Sequence, residues 1–527
     1  MPRCHLHTAG AADAPLRAAL GELRTALDVP GAFSAAVRAE TERVVRAPRP
    51  PDDGWLAGHD ATAVELFTID PPGAPDLDQA MELARRAGGG FRVRYAIADV
   101  AAFVTPGGTL DAEAHRRVQT LYFPDGRVPL YPAVLSEDAA SLLPDRTRPA
   151  LLWQIDLDAE GRTVSAEVRR ALVRSRARLD YAGAQREIDA GTAPESLALL
   201  KEIGLLRERL ERERGGISLS VPEQEIVECP PRPGGVSGDA PGGRSGGVSG
   251  DRSGSAPGGR SGSAPGGRSG GVSYTVAYRA PLPVEGWNAQ ISLLTGMVAA
   301  QLMMTAGTGI LRTLPSAPDG AVGRLRRSAK ALGIDWPHHV AYAETLRSLD
   351  PHNARHAAFL QECTALLRGA GYTVFTDGRI PQIAVHAAVA APYTHCTAPL
   401  RRLVDRYAGE ICLSAVAGQD PPEWVLAALA ALPKEMAAGA ERANTVEREC
   451  VDIVEAALLR GRVGEIFDGY VVDVRERDPA VGTVHLEDPA VIARIEGGAA
   501  PLPLGERLRV RLTQADPGLA KVLFAPA

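Results

Sequence analysis

From residue 230 to residue 272 the chain offers almost nothing that a protein interior could hold. PGGRSG recurs three times and GGVSGD twice. A stretch without apolar groups cannot offset its ordering entropy, so it reads as a disordered surface loop. The folded body must therefore be assembled from the chain on either side. The flanks add a second constraint. SLSVPEQEIVE (218–228) and YTVAYRAPLPV (274–284) both have the texture of strands. They are expected to be the two arms of one hairpin whose turn has been expanded. Loop-closure cost rises slowly with length, so the insertion need not divide a domain.

Around it the texture changes several times. Residues 1 to 58 read as helical: PLRAALGELRTAL and FSAAVRAETERVV repeat apolar residues at three- and four-residue spacing, and prolines 48, 50 and 51 close the segment. From about 60 to 180 short strands are expected. FRVRYAIADVAAFV (91–104) alternates and then runs apolar, like a strand buried on both faces, and LLWQIDLDAEGRTVSAEVRRALV reads as two strands around Asp158–Gly161. Residues 284 to about 460 read as mostly helical, with His338-His339 at a helix edge. From 463 to 527 about five strands return, the size of an OB-like barrel. The expected division is a helical segment over 1–58, a catalytic domain over 59–462 containing the insertion, and a barrel over 463–527.

Composition narrows the class of function. The 527 residues carry a formal net charge of −6, which argues against a polybasic protein but leaves room for a basic channel inside an acidic shell. Six cysteines are scattered without CxxC spacing, so zinc-knuckle and thioredoxin readings are weak. The start, MPRCHLHTAGAADAP, lacks an apolar signal region, and no long uninterrupted apolar run is present. A cytoplasmic protein with no membrane association is expected.

Chemistry concentrates in TIDPPGAPDLDQAMEL (68–83), where Asp70, Asp76 and Asp78 fall within nine residues. Carboxylates this close repel unless cations neutralise them. Oxygen-only donors without histidine or cysteine favour a hard ion, magnesium or manganese, which commonly completes its shell with phosphate oxygens. The alternative is a solvated acidic turn. The similar IDLDAE (155–160) reads as an ordinary strand end and is given no role. APYTHCTAPLRRLVDRY (391–407) places Arg401 and Arg402 just after Pro399. If a helix starts at Pro399, both cations stand in its first turn, against the dipole, which points to an anionic partner; surface salt bridges are the alternative. RSRARLDY (174–181), as a strand, presents Arg174, Arg176 and Arg178 on one face, either as a phosphate track or as a solvated sheet face. GRLRRSAK (323–330) is equally ambiguous. Tyr122 could stack on a base or pack in the core. His395 reads as a packing or hydrogen-bonding residue.

Taken together, TIDPPGAPDLDQA, YAIADVAAFVTPGGTLDAEA, LYFPDGRVPLYPAVLS and YTHCTAPLRRLVDRY stand in the order found in the ribonuclease II and ribonuclease R (RNB) family. GGISLSVPEQEI and RANTVERECVDI also fall in place. The chain resembles that family over roughly residues 60 to 460. The resemblance implies an α+β catalytic domain with a deep RNA channel and a small carboxyl-terminal OB-like barrel. It implies magnesium-dependent hydrolysis (manganese is the other candidate) of single-stranded RNA from its 3′ end to 5′-nucleoside monophosphates, with no obligate protein partner. By the same resemblance Asp70 and Asp76 position metal, and Asp78 is the carboxylate most essential to the chemical step. Arg401 stabilises the phosphate in flight, Tyr122 packs at the terminal nucleotide, and Glu447 lies near the 3′ end. Arg174, Arg176, Arg178 and Arg402 join as candidate RNA contacts.

Two departures stand out. The family usually has a further aspartate where this chain has Gln79. An amide oxygen can still coordinate an ion but brings no charge, so weaker metal binding, slower turnover or a member that binds RNA without cutting it is expected. The 58 helical residues are also too few for the family's amino-terminal pair of cold-shock barrels, which would leave the RNA gripped by the channel and the carboxyl-terminal barrel.

Overall fold

The computed structural model describes residues 14–48, 60–218, 223–229, 273–317, 319–350, 353–367, 369–475, 477–486, 488–498 and 500–527. Helices α1 (Ala14–Ala26) and α2 (Ala35–Arg46) lead into strands β1 (Leu66–Asp70), β2 (Gln79–Arg85) and β3 (Phe91–Ala98). Helix α3 (Thr109–Arg117) precedes a short hairpin, β4 (Leu121–Phe123) and β5 (Gly126–Val128), and two long strands, β6 (Thr147–Leu157) and β7 (Thr163–Asp180). Next come α4 (Tyr181–Ala190), α5 (Glu195–Glu213), strands β8 (Glu223–Cys229) and β9 (Ser273–Arg279), and the long α6 (Pro283–Ala306). The following stretch mixes β10 (Gly309–Thr313), α7 (Asp319–Ala331), α8 (Tyr342–Arg347), α9 (Ala354–Cys363), β11 (Gly371–Phe375), β12 (Val385–His386) and β13 (Ala391–Pro392). Helices α10 (Leu403–Ala417), α11 (Glu423–Leu429) and α12 (Leu432–Leu459) then lead to strands β14 (Ile466–Arg475), β15 (Asp478–Leu486), β16 (Val491–Ile495), β17 (Arg507–Asp516) and β18 (Lys521–Pro526).

Strands β1, β2, β3, β6 and β7 close into a barrel, sealed by parallel pairing of β7 with β1. The alternation in β3 explains why it closes. Phe91, Val93 and Tyr95 are buried while Arg92 and Arg94 reach the outer surface. Tyr95 stands opposite Trp153 of β6 in register, and both are fully buried. Arg92 answers Asp156 of the same ladder at 2.7 Å, so IDLDAE is a strand end whose first aspartate is held locally.

Helix α6 crosses this core. It is long and apolar enough by composition to span a membrane, but Trp287, Ile291, Leu294 and Met303 are buried within the protein's core. Helix α10 is buried along its first ten residues, Leu403 to Cys412. Strands β8 and β9 pair antiparallel from Glu223 with Arg279 to Cys229 with Ser273, as the flanks of the insertion led one to expect. The insertion itself lies outside the described residues.

Two local expectations need correction. The apolar run 91–104 is not one strand: β3 stops at Ala98, and Val100–Ala102 form a single 3₁₀ turn. The break falls at Asp99, whose buried carboxylate accepts from Arg170 Nε at 2.9 Å. His338 and His339 lie in the connection between α7 and α8, not on a helix. Arg326 and Trp336 hold that connection through the carbonyls of residues 336–338 and 340. The stretch from 284 to 460 is mostly helical, as expected, and also contains two small two-stranded ladders, β10–β11 and β12–β13.

The last five strands close in the order β14-β15-β16-β18-β17, with β16 parallel to β18, which is the OB arrangement. His485 of β15 is buried in this barrel, and burial pushes its imidazole down to about 4. The unfolded chain takes up a proton near the ordinary value of 6.5 and the folded barrel does not, so stability falls as pH falls from about 6.5 to 4. The loss from this residue amounts to about 3 kcal/mol by pH 4. In thermal unfolding, His485→Gln is expected to lose less of its midpoint than the parent between pH 7 and pH 4.5. Equal losses would refute the assignment.

Candidate active site

The acidic loop hangs between β1, which ends at Asp70, and β2, which begins at Gln79. Pro71, Pro72 and Gly73 turn the chain out of the barrel, Gly73 at φ +79°, a conformation that favours glycine. The loop is then stitched down. Leu77 N–H donates to Ser141 Oγ at 3.0 Å, Leu142 N–H to the Leu77 carbonyl at 3.0 Å, and Ala98 N–H to the Asp78 carbonyl at 2.9 Å. Leu77 is fully buried, and that anchor directs Asp78 inward.

Asp78 meets Arg401 across 323 residues of sequence. Arg401 Nε donates to Asp78 Oδ2 at 2.7 Å and Leu400 N–H donates to Oδ1 at 2.7 Å. Burial pushes the Asp78 carboxyl up to about 6; Arg401 offsets part of this and Asp76 adds to it. Burial works against the Arg401 charge as well, but Asp78, Tyr122 and Asp76 outweigh it and hold the guanidinium above its ordinary range. Among the described residues nothing accepts a hydrogen bond from the two Nη groups of Arg401. They remain available to an anion.

Asp76 is held by Arg127 of β5, Nη1 to Oδ1 at 2.6 Å, and the other arm of Arg127 reaches Glu137 at 2.6 Å. Tyr122 of β4 stands opposite Arg127 in the hairpin register, so both project from one face toward the acidic loop. Asp70 differs from its neighbours: no described group donates a hydrogen bond to its carboxylate. Burial, Asp78 and Asp76 push it up to about 7 against the pull of Arg401 and Arg178.

The arginine segment is not helical where the helix was expected. Helix α10 starts at Leu403, and Arg402 precedes it in extended conformation (φ −134°, ψ 130°). Thr120 N–H donates to the Arg401 carbonyl at 3.0 Å and Leu403 N–H to the Val118 carbonyl at 2.9 Å. This pairing with residues 118–120 takes precedence over a helical first turn, so the dipole argument does not apply to Arg401. The chain reaches this point by passing α6 at Gly296, where a methyl group would stand 2.2 Å from the Tyr393 ring. Arg402 donates twice to Asp405, at 2.8 Å each, and Asp405 accepts from Ala398 N–H at 2.7 Å. Two of its guanidinium nitrogens are thereby engaged within the turn. His395 shares a hydrogen bond with Tyr372 at 2.6 Å and is half-buried, a hydrogen-bonding role as expected.

Of the β7 arginines, Arg178 donates to the Ala74 carbonyl inside the acidic loop at 2.9 Å. Arg176 donates to the Thr62 carbonyl and Arg174 to Thr147 Oγ1, both farther down the barrel. Glu447 lies on α12, the helix that packs against β4 through Leu121 and Phe123. Gln79 has both ends of its amide engaged by protein neighbours. Its Nε2 donates to the Thr397 carbonyl at 2.5 Å, and its Oε1 accepts from Tyr95 O–H at 2.9 Å. Arg127, Tyr95 and Ser141 escaped the sequence reading. Arg127 lies inside the quoted LYFPDGRVPLYPAVLS motif, but nothing local marks Asp76 as its partner.

The donors suit a hard cation in kind, since all are oxygens. Among the described residues no three His, Cys, Asp or Glu side chains converge as a ready cage, and Arg127 and Arg401 pair with two of the carboxylates. Asp70, half-buried near Asp76 and Asp78 and without a described donor, is the ligand a cation would relieve.

Comparison with known proteins follows this geometry. The RNB domain matches residues 59–416, and the RNase II-type exonuclease C-terminal S1 domain matches residues 465–527. Exoribonuclease 2 of Xenorhabdus bovienii is 35% identical over 164 residues, 31% of this chain and 25% of that relative, so the matched stretch spans only a quarter of its length. The apo form of Mycoplasma genitalium RNase R superposes with a TM-score of 0.77 at 16% identity, covering 98% of this chain and 78% of that one. Yeast Ssd1, described as a pseudonuclease, superposes with a TM-score of 0.63 at 14% identity, covering 90% of this chain and 54% of its own. At these identities the structural likenesses concern fold alone.

Proposed function

We propose that this chain, which belongs to the RNB family, is a 3′-to-5′ exoribonuclease that hydrolyses single-stranded RNA to 5′-nucleoside monophosphates. The observation that carries the reading is the junction of Asp78 with Arg401 at 2.7 Å, a buried carboxylate and a guanidinium drawn from opposite ends of the catalytic domain. A solvated acidic turn would not be buried, and a surface salt bridge would not recruit a backbone N–H as a third member.

In this reading the scissile phosphate lies against the Nη groups of Arg401, which meet the charge that develops on its oxygens. Asp78, fixed by two donors, receives the proton of the attacking water as the water oxygen bonds to phosphorus, while the bond to the upstream 3′ oxygen breaks and that oxygen takes a proton from solvent. Asp70 and Asp76 would hold a divalent cation, which when bound would supply polarisation of the phosphate and neutralise carboxylate charge. Arg178 keeps the loop's far side in place through Ala74. Tyr122, on the face of the hairpin shared with Arg127, supports the terminal nucleotide, and Glu447 closes the same side. Arg174 and Arg176 extend the strand along the backbone of the incoming RNA. Arg402 acts through Asp405 on the turn that carries Arg401.

A second reading has a specific observation behind it: with Arg127 on Asp76 and Arg401 on Asp78, two of the three carboxylates are already paired, as suits a member that binds RNA and does not cut it. Single-stranded RNA labelled at its 3′ end separates the two. The parent is expected to release labelled mononucleotide with magnesium or manganese and to stop on addition of a chelator. Tight RNA binding without release in either metal would establish the second reading.

A further inference from the structure

Gln79 stands where a ligand aspartate is usual, and its contacts show a different use of the position. The amide is oriented without ambiguity, because the Thr397 carbonyl can only accept and therefore faces Nε2. Tyr95 O–H donates to the amide oxygen at 2.9 Å, and the same hydroxyl lies 2.9 Å from Ser292 Oγ of α6. Burial pushes the Tyr95 phenol above its ordinary range, so it remains a donor. Three acceptors and donors thus grip the five-residue turn that carries Arg401. Gln79 takes the Thr397 carbonyl, Asp405 the Ala398 N–H and Asp78 the Leu400 N–H. Pro399 has no N–H to offer, and Arg401 N–H closes the turn on the Ala398 carbonyl at 3.1 Å.

We propose that Gln79 is a positioning residue, which with Tyr95 and Ser292 behind it pins the 397–401 turn so that Arg401 faces the phosphate. The inference rests on the nuclease reading above for its kinetic part only. A carboxylate at this position could not do the same. It would set an oxygen against the Thr397 carbonyl oxygen, and the acceptor pair would push the turn away. The amide is therefore matched to the turn, and reinstating an acidic residue is expected to harm the site.

The test uses the full chain with Gln79→Glu, Gln79→Asp and Tyr95→Phe, read by backbone hydrogen exchange and by kinetics. Exchange at Ala398 and Leu400 is expected to quicken by about tenfold in Gln79→Glu and Gln79→Asp, and less in Tyr95→Phe. Turnover is expected to fall about 10- to 100-fold, while KM for RNA and the half-saturating magnesium concentration stay within about twofold. If Gln79→Asp instead binds magnesium several times more tightly and turns over faster, with exchange at 398 and 400 unchanged, Gln79 is a weak ligand and the tether is wrong. If the parent releases no nucleotide, the nuclease reading fails, and the exchange result still decides the tether: quickened supports it, unchanged overturns it.

Discussion

Asp78→Asn is expected to lower mononucleotide release by roughly 10²- to 10⁴-fold while single-stranded RNA still binds. The substitution keeps the volume of a side chain that is 2% exposed, so it opens no cavity. What it changes is charge and donor pattern. The asparagine oxygen can still accept from Leu400 N–H, but its amide nitrogen would face Arg401 Nε, and two donors cannot share a hydrogen bond. The proton of the attacking water loses its acceptor, and the guanidinium loses the partner that aims it. RNA affinity is expected to hold or rise, since a negative charge near the phosphates has been removed. Single-turnover release of 3′-labelled nucleotide, beside a binding titration, measures both. A variant that hydrolyses at near the parent's rate would remove Asp78 from the chemistry.

Arg401→Lys is expected to lose about 10³- to 10⁵-fold in turnover, the range in which a phosphate-facing arginine contributes to phosphoryl transfer. Charge is preserved, so a defect here cannot be one of bulk electrostatics. The geometric reason is that Arg401 uses Nε for Asp78 and keeps its Nη groups for the substrate. A lysine ammonium is a single point and cannot serve both at fixed separation. The slope of RNA affinity against salt is therefore expected to match that of the parent while turnover collapses. A lysine variant within tenfold of the parent would show that any cation suffices there.

Much of the fold could be read locally. The alternation in FRVRYAIA and in RSRARLD marks two of the barrel strands, three- and four-residue spacing marks α1 and α2, and the strand texture on both sides of the insertion marks the β8–β9 pair. The failures were also local. At 91–104 apolar character continued past the strand because the 3₁₀ turn after Asp99 is buried as deeply as β3 itself. At Pro399 a plausible helix start was overruled by pairing with residues 118–120, which no window around 399 contains. Of the site, the three aspartates and Arg401 were legible because their motifs stand in a recognisable order. Arg127 and Tyr95 were not, because an arginine in a hairpin and a tyrosine in a strand look the same whether or not an aspartate or an amide waits opposite.

By itself the amino-acid sequence determined which segments become strands and helices and which short stretches carry the reactive side chains, since periodicity and residue type are properties of neighbours along the chain. Only the tertiary structure decided how identical residue types divide their work. Arg401 is left open to an anion while Arg402 is locked on Asp405, Arg178 reaches the acidic loop while Arg174 and Arg176 do not, and Gln79 turns toward Thr397. Each of these outcomes depends on what stands within hydrogen-bond reach, and the groups that decide it come from as far as 323 residues away.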